Sequence, residues 1–278
     1  MKIYVASAFS KDNSGGNKAG VCLTAGGLNE EQKKKISAEL GYAETVFISE
    51  SNNADLKLEY FTPSEEVPLC GHATIAAFTV MKKRGLLNKY QYKIETKAGI
   101  LSINIRVNKF FMEQNKPQFF DKIDSDIFDN CFDIKVVSNE YSAQIVSTGL
   151  RDIMLPVKDL ETLNTMNPNF DEIKRISSEY DTIGIHAFTI QGDRIIVRNF
   201  APLYDVPEES ATGTGNCALA CYLFNNNIIK KDEYLFEQGY SLNELSEIIV
   251  QLEVVDDSIE RVIVGGSGYL VEEKEIVV

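Results

Sequence analysis

A thiol and an imidazole stand two positions apart in Cys70-Gly71-His72-Ala73-Thr74, directly before an apolar run. Cys70 acts as a base or nucleophile only as its thiolate, whereas His72 can give or take a proton near neutral pH. Upstream, Glu44-Thr45-Val46-Phe47-Ile48 alternates as a strand, which puts Glu44 on the same face as Val46 and Ile48. A carboxylate on an apolar face is costly unless it is paired or its pKa is raised. The plainer alternative is a strand-end glutamate tilted into solvent, and His72 alone reads equally as a helix cap. The chemistry such groups share is proton transfer.

A second version of the stretch follows about 140 residues later. Phe61-Thr62-Pro63 matches Phe200-Ala201-Pro202, and the apolar helix after Cys70-Gly71-His72 matches the one after Thr212-Gly213-Thr214-Gly215. Lys35-Ile36-Ser37-Ala38-Glu39-Leu40 matches Arg175-Ile176-Ser177-Ser178-Glu179-Tyr180 at nearly the same offset, so the chain reads as a duplicated fold. In this alignment Cys70 falls on Thr212 and Glu44 on Gly184, which leaves the thiol and the carboxylate in the N-terminal half alone. Both helices open with small residues, and free N–H groups at two such starts can hold a substrate carboxylate or an enolate-like charge.

The positioning elements follow from local signals. Lys2 to Phe9 and Ala19 to Ala25 read as strands around a loop in which Asn13, Ser14, Gly15, Gly16 and Asn17 supply turn conformations or backbone donors. Asn29 with Gln32 forms a capping box for a helix that Gly41 ends. Ala73 to Met81 is apolar on almost every side, which predicts an enclosed helix, with Lys82-Lys83-Arg84 at its C-terminal end. Leu56 to Phe61 reads as a strand, and Tyr90 to Ile105 as two more with Gly99 near their junction. The segment from Lys109 to Asp133 reads as an irregular crossover between domains. The fold class expected is α+β, with two similar domains over residues 1–112 and 113–266, a C-terminal strand over 267–278 completing the first, and the ligand site between them.

Composition narrows the function classes. An apolar fraction of 44% and a charged fraction of 25% are those of an ordinary globular protein. A formal net charge of −13 without a basic patch argues against nucleic acid. No apolar run approaches the ~20 residues of a membrane helix, and the first nine residues are too short for a signal peptide, so the expectation is a cytoplasmic protein with reduced thiols. With two histidines and no cysteine pair at knuckle spacing, a histidine-built metal site is not expected.

Four segments together resemble the PhzF-like phenazine biosynthesis family over nearly the whole chain. They are Gly16-Asn17-Lys18-Ala19-Gly20-Val21, Glu44-Thr45-Val46-Phe47, Phe61-Thr62-Pro63 with Cys70-Gly71-His72-Ala73-Thr74, and Phe200-Ala201-Pro202 with Ala211-Thr212-Gly213. The resemblance implies the diaminopimelate epimerase-like fold, in which each of two pseudo-symmetric domains rolls a sheet around a central helix. It also implies a homodimer with no metal and no organic cofactor, acting on a small anionic substrate. In related epimerases two cysteines act as opposed bases, and Thr212 stands where the second would be. PhzF-type isomerases instead shuttle a proton on one glutamate, which Glu44 matches. His72 would orient the substrate as a neutral imidazole, and Asn17, Cys70, Gly71, Thr212, Gly213 and Thr214 would line its binding site. The family usually carries acidic-Asp-Pro-Ala-Thr-Gly before the second helix, whereas this chain has Glu208-Glu209-Ser210-Ala211-Thr212-Gly213, so Glu209 takes the place of the aspartate. Two other readings stay open: a racemase that uses Cys70 and Glu44, and a small-molecule-binding protein without turnover.

Overall fold

The computed structural model describes residues 1–277. Its strands are β1 (Lys2–Ala8), β2 (Asn17–Cys22), β3 (Thr45–Ser49), β4 (Leu56–Phe61), β5 (Glu66–Val67), β6 (Gln91–Thr96), β7 (Gly99–Arg106), β8 (Lys109–Gln114), β9 (Gln118–Ile123), β10 (Ala143–Ser147), β11 (Arg151–Pro156), β12 (Ile185–Gln191), β13 (Arg194–Ala201), β14 (Val206–Glu209), β15 (Glu233–Gln238), β16 (Ser246–Val255) and β17 (Ser258–Glu275). Its helices are α1 (Glu30–Leu40), α2 (Gly71–Lys83), α3 (Leu160–Thr165), α4 (Phe170–Glu179) and α5 (Gly213–Asn225). The chain forms two compact units, one of residues 1–113 with 265–278 and one of residues 114–264.

The first unit is a closed barrel. Strand β1 pairs with β2 and β17, β2 with β3, β3 with β4, β4 with β6, β6 with β7, β7 with β8, and β8 with β17. Helix α2 fills it. His72 through Met81 are all buried, Phe78 meets the rings of Tyr92 and Phe110, and the helix packs on β1, β2 and β3. Each large apolar side chain so enclosed contributes about 1.5–3 kcal/mol of burial free energy. Strand β17 can lie against α2 because residue 268 is glycine: a Cβ there would sit 2.4 Å from Thr79 Oγ1 and 2.8 Å from Ser7 O. Outside the barrel, α1 buries Ile36 and Leu40 against Phe47 and Phe61.

The second unit repeats the plan. Its strands run β9, β10, β11, β12, β13, β15, β16, and α5 packs on β10, β11, β12 and β16 with Gly215 through Phe224 buried. Helices α3 and α4 cover the outer face, where Leu163, Ile173 and Ile176 meet Phe132, Ile185 and Phe200. Helices α1 and α4 are each capped by an asparagine side chain that accepts from the backbone three residues on, Asn29 from Gln32 and Asn169 from Glu172.

Three local expectations need correction. Strand β3 begins at Thr45, so Glu44 sits just before the strand rather than in it. The segment from Lys109 to Asp133 is not irregular throughout: it holds β8, β9 and a turn of 3-10 helix at Ser125–Phe128. Tertiary pairing accounts for this, because β8 buries Phe110, Phe111 and Met112 in succession and shows no alternation a sequence reading could use. Strand β2 is also shorter than expected and begins at Asn17. Among the described residues, no helix is long and apolar enough to cross a membrane, and all five cysteines are free and buried.

Candidate functional site

In the first unit the fold draws four of the singled-out residues together. Glu44 is fixed by its backbone, where its carbonyl accepts from Gly20 N–H at 3.1 Å. Its Oε2 reaches His72 Nε2 at 3.1 Å. Oε2 is shielded from solvent there, and the pair is held by charge. Cys70 Sγ lies 3.5 Å from His72 Nδ1 and 3.8 Å from Nε2. Asn17, at the start of β2, brings its amide nitrogen to 3.4 Å from His72 Nδ1. The loop before it folds back tightly: Ser7 Oγ donates to Gly15 O at 2.5 Å, and residue 16 is glycine because a Cβ would lie 2.4 Å from Ala8 O.

The protonation pattern differs from the one the sequence suggested. Burial pushes Glu44 up, but the charge of His72 and its contacts with His72 and Cys70 outweigh burial and hold it below the ordinary carboxylate value. Burial opposes a charge on His72, yet the neighbouring Cys70 and Glu44 raise its pKa well above that of free histidine. Burial, followed by the charge of Glu44, pushes the Cys70 thiol up. The Cys70 thiol is thus harder to ionise than a free one, and both Cys70 and Glu44 face the His72 ring. For Glu44 the paired alternative prevails over the raised one, and the neutral imidazole expected of His72 gives way for the same reason: at 3.1 Å in a partly desolvated place, each stabilises the other's charge.

In the second unit the counterpart positions do structural and polar work of another kind. Gly184 replaces Glu44 because nothing larger fits: a Cβ there would lie 1.9 Å from Phe200 O. Thr212, at the N-cap of α5, donates from Oγ1 to Glu209 Oε2 at 2.5 Å. Gln238, fully buried at the end of β15, ties the segment down. Its amide nitrogen donates to Glu209 O at 2.8 Å and Thr212 Oγ1 at 3.0 Å, while its oxygen accepts from Thr212 N at 3.1 Å and Asn216 Nδ2 at 2.9 Å. The adjacent acid, Glu208, is taken by Arg198 in a two-pronged pair of 2.8 Å contacts, and Arg198 also donates to the carbonyls of Leu163 and Met166. The loop that lacks the family proline is thus held by side chains. Gly213 and Thr214 form the first turn of α5, and Thr148 Oγ1 donates to Thr214 O at 3.3 Å.

The two central helices share a further feature. Side-chain oxygens close the starts of α1, α3 and α4, but neither Cys70 nor Thr212 caps its helix. The ends suited to an anion are those of the two buried helices. Each is pinned to its sheet by polar side chains. Tyr60 and Thr74 hydroxyls meet at 2.7 Å, and Thr74 donates to Cys70 O. In the second copy, Asn216 donates to Thr212 O, and His186 lies 2.8 Å from Asn199 and 3.4 Å from Asn216. Burial takes His186 down to about 4, so the second histidine is a neutral strut.

Sequence reasoning did not reach Gln238, Asn216, Arg198 or Asp152. For Gln238 a signal existed, since period-two alternation places it on the face of Tyr234 and Phe236. Asp152 sits on β11 with Oδ1 buried and unpartnered, and burial followed by the charge of Glu209 raises it to about 8. Among the described residues, Glu44, Cys70 and His72 also bring one metal-ligating atom each to within 4.8 Å of one another.

The phenazine biosynthesis-like (PhzC-PhzF) family matches residues 6–274. The chain belongs to that family. A relative from Clostridium acetobutylicum, named an uncharacterized isomerase, is 32% identical, with 99% of this chain and 97% of that protein covered. The PhzF-family crystal structure from Bacillus anthracis superposes with a TM-score of 0.92 at 28% identity, covering 100% of this chain and 99% of that one. A hydroxyproline epimerase from Agrobacterium vitis, at 13% identity and a TM-score of 0.62, shares the fold. The PhzF-like chain therefore has the diaminopimelate epimerase-like architecture of two similar rolled domains.

Proposed function

We propose that this PhzF-like protein is an isomerase that moves a proton within a small carboxylate-bearing metabolite, with Glu44 as the single acid/base and no cofactor. The observation that carries the reading is the Glu44 carboxylate 3.1 Å from His72 beside the uncapped start of α2. An ionised Glu44 is the form needed to accept a proton from carbon at neutral pH. Negative charge left on the substrate would be met by the His72 imidazolium and by the first-turn N–H groups of α2. When an anionic substrate engages His72, Glu44 loses its counter-charge and binds the abstracted proton more firmly, then returns it to a second carbon. Glu209, oriented through Thr212, would hold a polar substrate group, and Asn17 would steady His72. The elevated pKa of Cys70 weighs against a thiolate base, and Thr212 offers no second thiol.

Deuterium uptake from heavy water into a panel of small cyclic and amino-acid-like carboxylates tests the reading. The wild type is expected to exchange a carbon-bound proton in at least one of them, Glu44→Gln to lose that exchange, and Cys70→Ser to retain it. Equal exchange by wild type and Glu44→Gln would remove Glu44 from the chemistry.

A further inference from the structure

The group formed by Glu44, Cys70 and His72 has a property that proton shuttling does not use. We propose that these three side chains form a zinc-binding site with one open coordination position, through which the cation inhibits the enzyme. The ligand types are those zinc prefers: a carboxylate oxygen, an imidazole nitrogen and a cysteine sulfur. With zinc–nitrogen and zinc–oxygen bonds of about 2.0–2.1 Å and a zinc–sulfur bond of about 2.3 Å, a tetrahedral site needs edges of about 3.3 Å between N and O and about 3.6 Å between N and S. The corresponding edges here are 3.1 Å from His72 Nε2 to Glu44 Oε2 and 3.8 Å from Nε2 to Cys70 Sγ. The remaining edge also lies within 4.8 Å, so small side-chain rotations complete the face.

The surroundings suit such a site. Cys70 and His72 are held by the first turn of the buried helix α2, and Glu44 by its backbone bond to Gly20. Their positions are thus fixed before any cation arrives. Glu44 keeps 21% of its side chain exposed, while its Oε2, Cys70 and His72 are buried, so the ligand atoms lie just beneath the surface. With Nε2 on the cation, Nδ1 carries the ring proton, and a half-turn of the Asn17 amide presents its oxygen to that proton across the present 3.4 Å contact. Three protein ligands would leave a fourth position for water or a carboxylate. Sequence spacing conceals the group, since Glu44 comes from another element than Cys70 and His72.

Binding follows from the geometry, with the Cys70 thiol and the His72 Nε2–H each giving a proton to solvent as the cation enters, whereas inhibition rests on the reading of Glu44 as the base, because a carboxylate bound to zinc cannot take a proton from carbon. Cobalt(II), which occupies zinc sites and absorbs visibly, is the probe. The chelator-treated full-length protein is expected to bind one equivalent, with tetrahedral d–d bands and a thiolate-to-cobalt charge-transfer band, and zinc is expected to displace it. Cys70→Ser should lose the charge-transfer band, Glu44→Gln should bind cobalt more weakly, and Asn17→Ala should lose about 10-fold in affinity. No charge-transfer band in the wild type, or a band that persists in Cys70→Ser, would overturn the site. Should Cys70→Ser fail to fold, unchanged cobalt affinity in Glu44→Gln overturns it as well. Proton exchange by the metal-free protein, measured separately, tells the two ideas apart: its absence counts against the isomerase reading and leaves the cobalt result standing.

Discussion

Glu44 and His72 make a coupled pair whose charges have opposite consequences for stability. The lowered pKa of Glu44 gives a stabilisation that is present above its ordinary value of 4.5 and is lost as pH falls through the folded value. The raised pKa of His72 gives one that is complete below 6.5 and is lost as pH rises through its folded value. Both act in full only between those two ordinary values. Because the chain has just two histidines, their ring resonances can be followed individually by NMR. His72 is expected to titrate well above 6.5 and to move down in Glu44→Gln, while His186 stays neutral to about 4. Two rings titrating together near 6.5 would contradict the pairing. Asp152 supplies the reverse case. Its pKa of about 8, against an ordinary 3.8, means that the folded state binds the extra proton, so stability falls as pH rises between those values, by about 1.4 kcal/mol per pH unit at most. Asp152→Asn is expected to gain on the wild type in urea unfolding at pH 8 relative to pH 5, and a pH-independent difference would refute this.

At the scale of elements, the starts of α2 and α5 are held from the sheet side instead of by N-cap side chains. Gln238 makes four hydrogen bonds around the start of α5. Gln238→Ala would leave the Thr212 N–H and the Asn216 amide buried without that partner, and a loss of about 3 kcal/mol is expected in denaturant unfolding. Arg198 and Glu208 would still hold the neighbouring strand β14, so the damage should centre on the Glu209–Thr212 segment. By comparison, Asn29→Ala at the capped surface helix α1 should cost about 1 kcal/mol. The repeat also has a rigid limit. Gly184→Ala places a methyl group 1.9 Å from Phe200 O, a clash that only backbone movement can relieve, so the variant should melt many degrees lower. For the same reason, a second acid cannot be built at the Glu44 counterpart by substitution.

At the scale of the whole molecule, β17 serves both units: residues up to Val264 belong to the second, and those from Gly265 close the first barrel between β1 and β8. Removing residues 265–278 would strip β1 and β8 of their shared neighbour and uncover α2 beside Thr79. Such a chain is expected to lose cooperative unfolding or to aggregate through the opened edges. A truncated chain that melts cooperatively like the full one would show that β17 is dispensable for the barrel.

The sequence by itself determined the α+β class, the duplicated plan, the capping of α1 by Asn29, and the enclosed character of α2 and α5. These are written in short-range periodicity and in the spacing of like segments, which survive whatever surrounds them. It also singled out Glu44, Cys70, His72 and Asn17, which the fold brings together, but it misjudged the charges of Glu44 and His72. A pKa depends on what lies within a few ångströms, and Glu44 meets His72 only because Gly20 anchors one and α2 presents the other. Strand β8 was hidden because it buries Phe110, Phe111 and Met112 in succession without alternation, and β9 because it becomes strand by pairing with β10 across an intervening loop. Gln238 acquires its role only where the end of β15 meets the start of α5, Arg198 where β13 meets β14 and α3, and Asp152 where burial on β11 sets it near Glu209. Tertiary structure decided these points because hydrogen-bond satisfaction, desolvation and charge coupling are properties of neighbours in space, and chain order does not specify those neighbours.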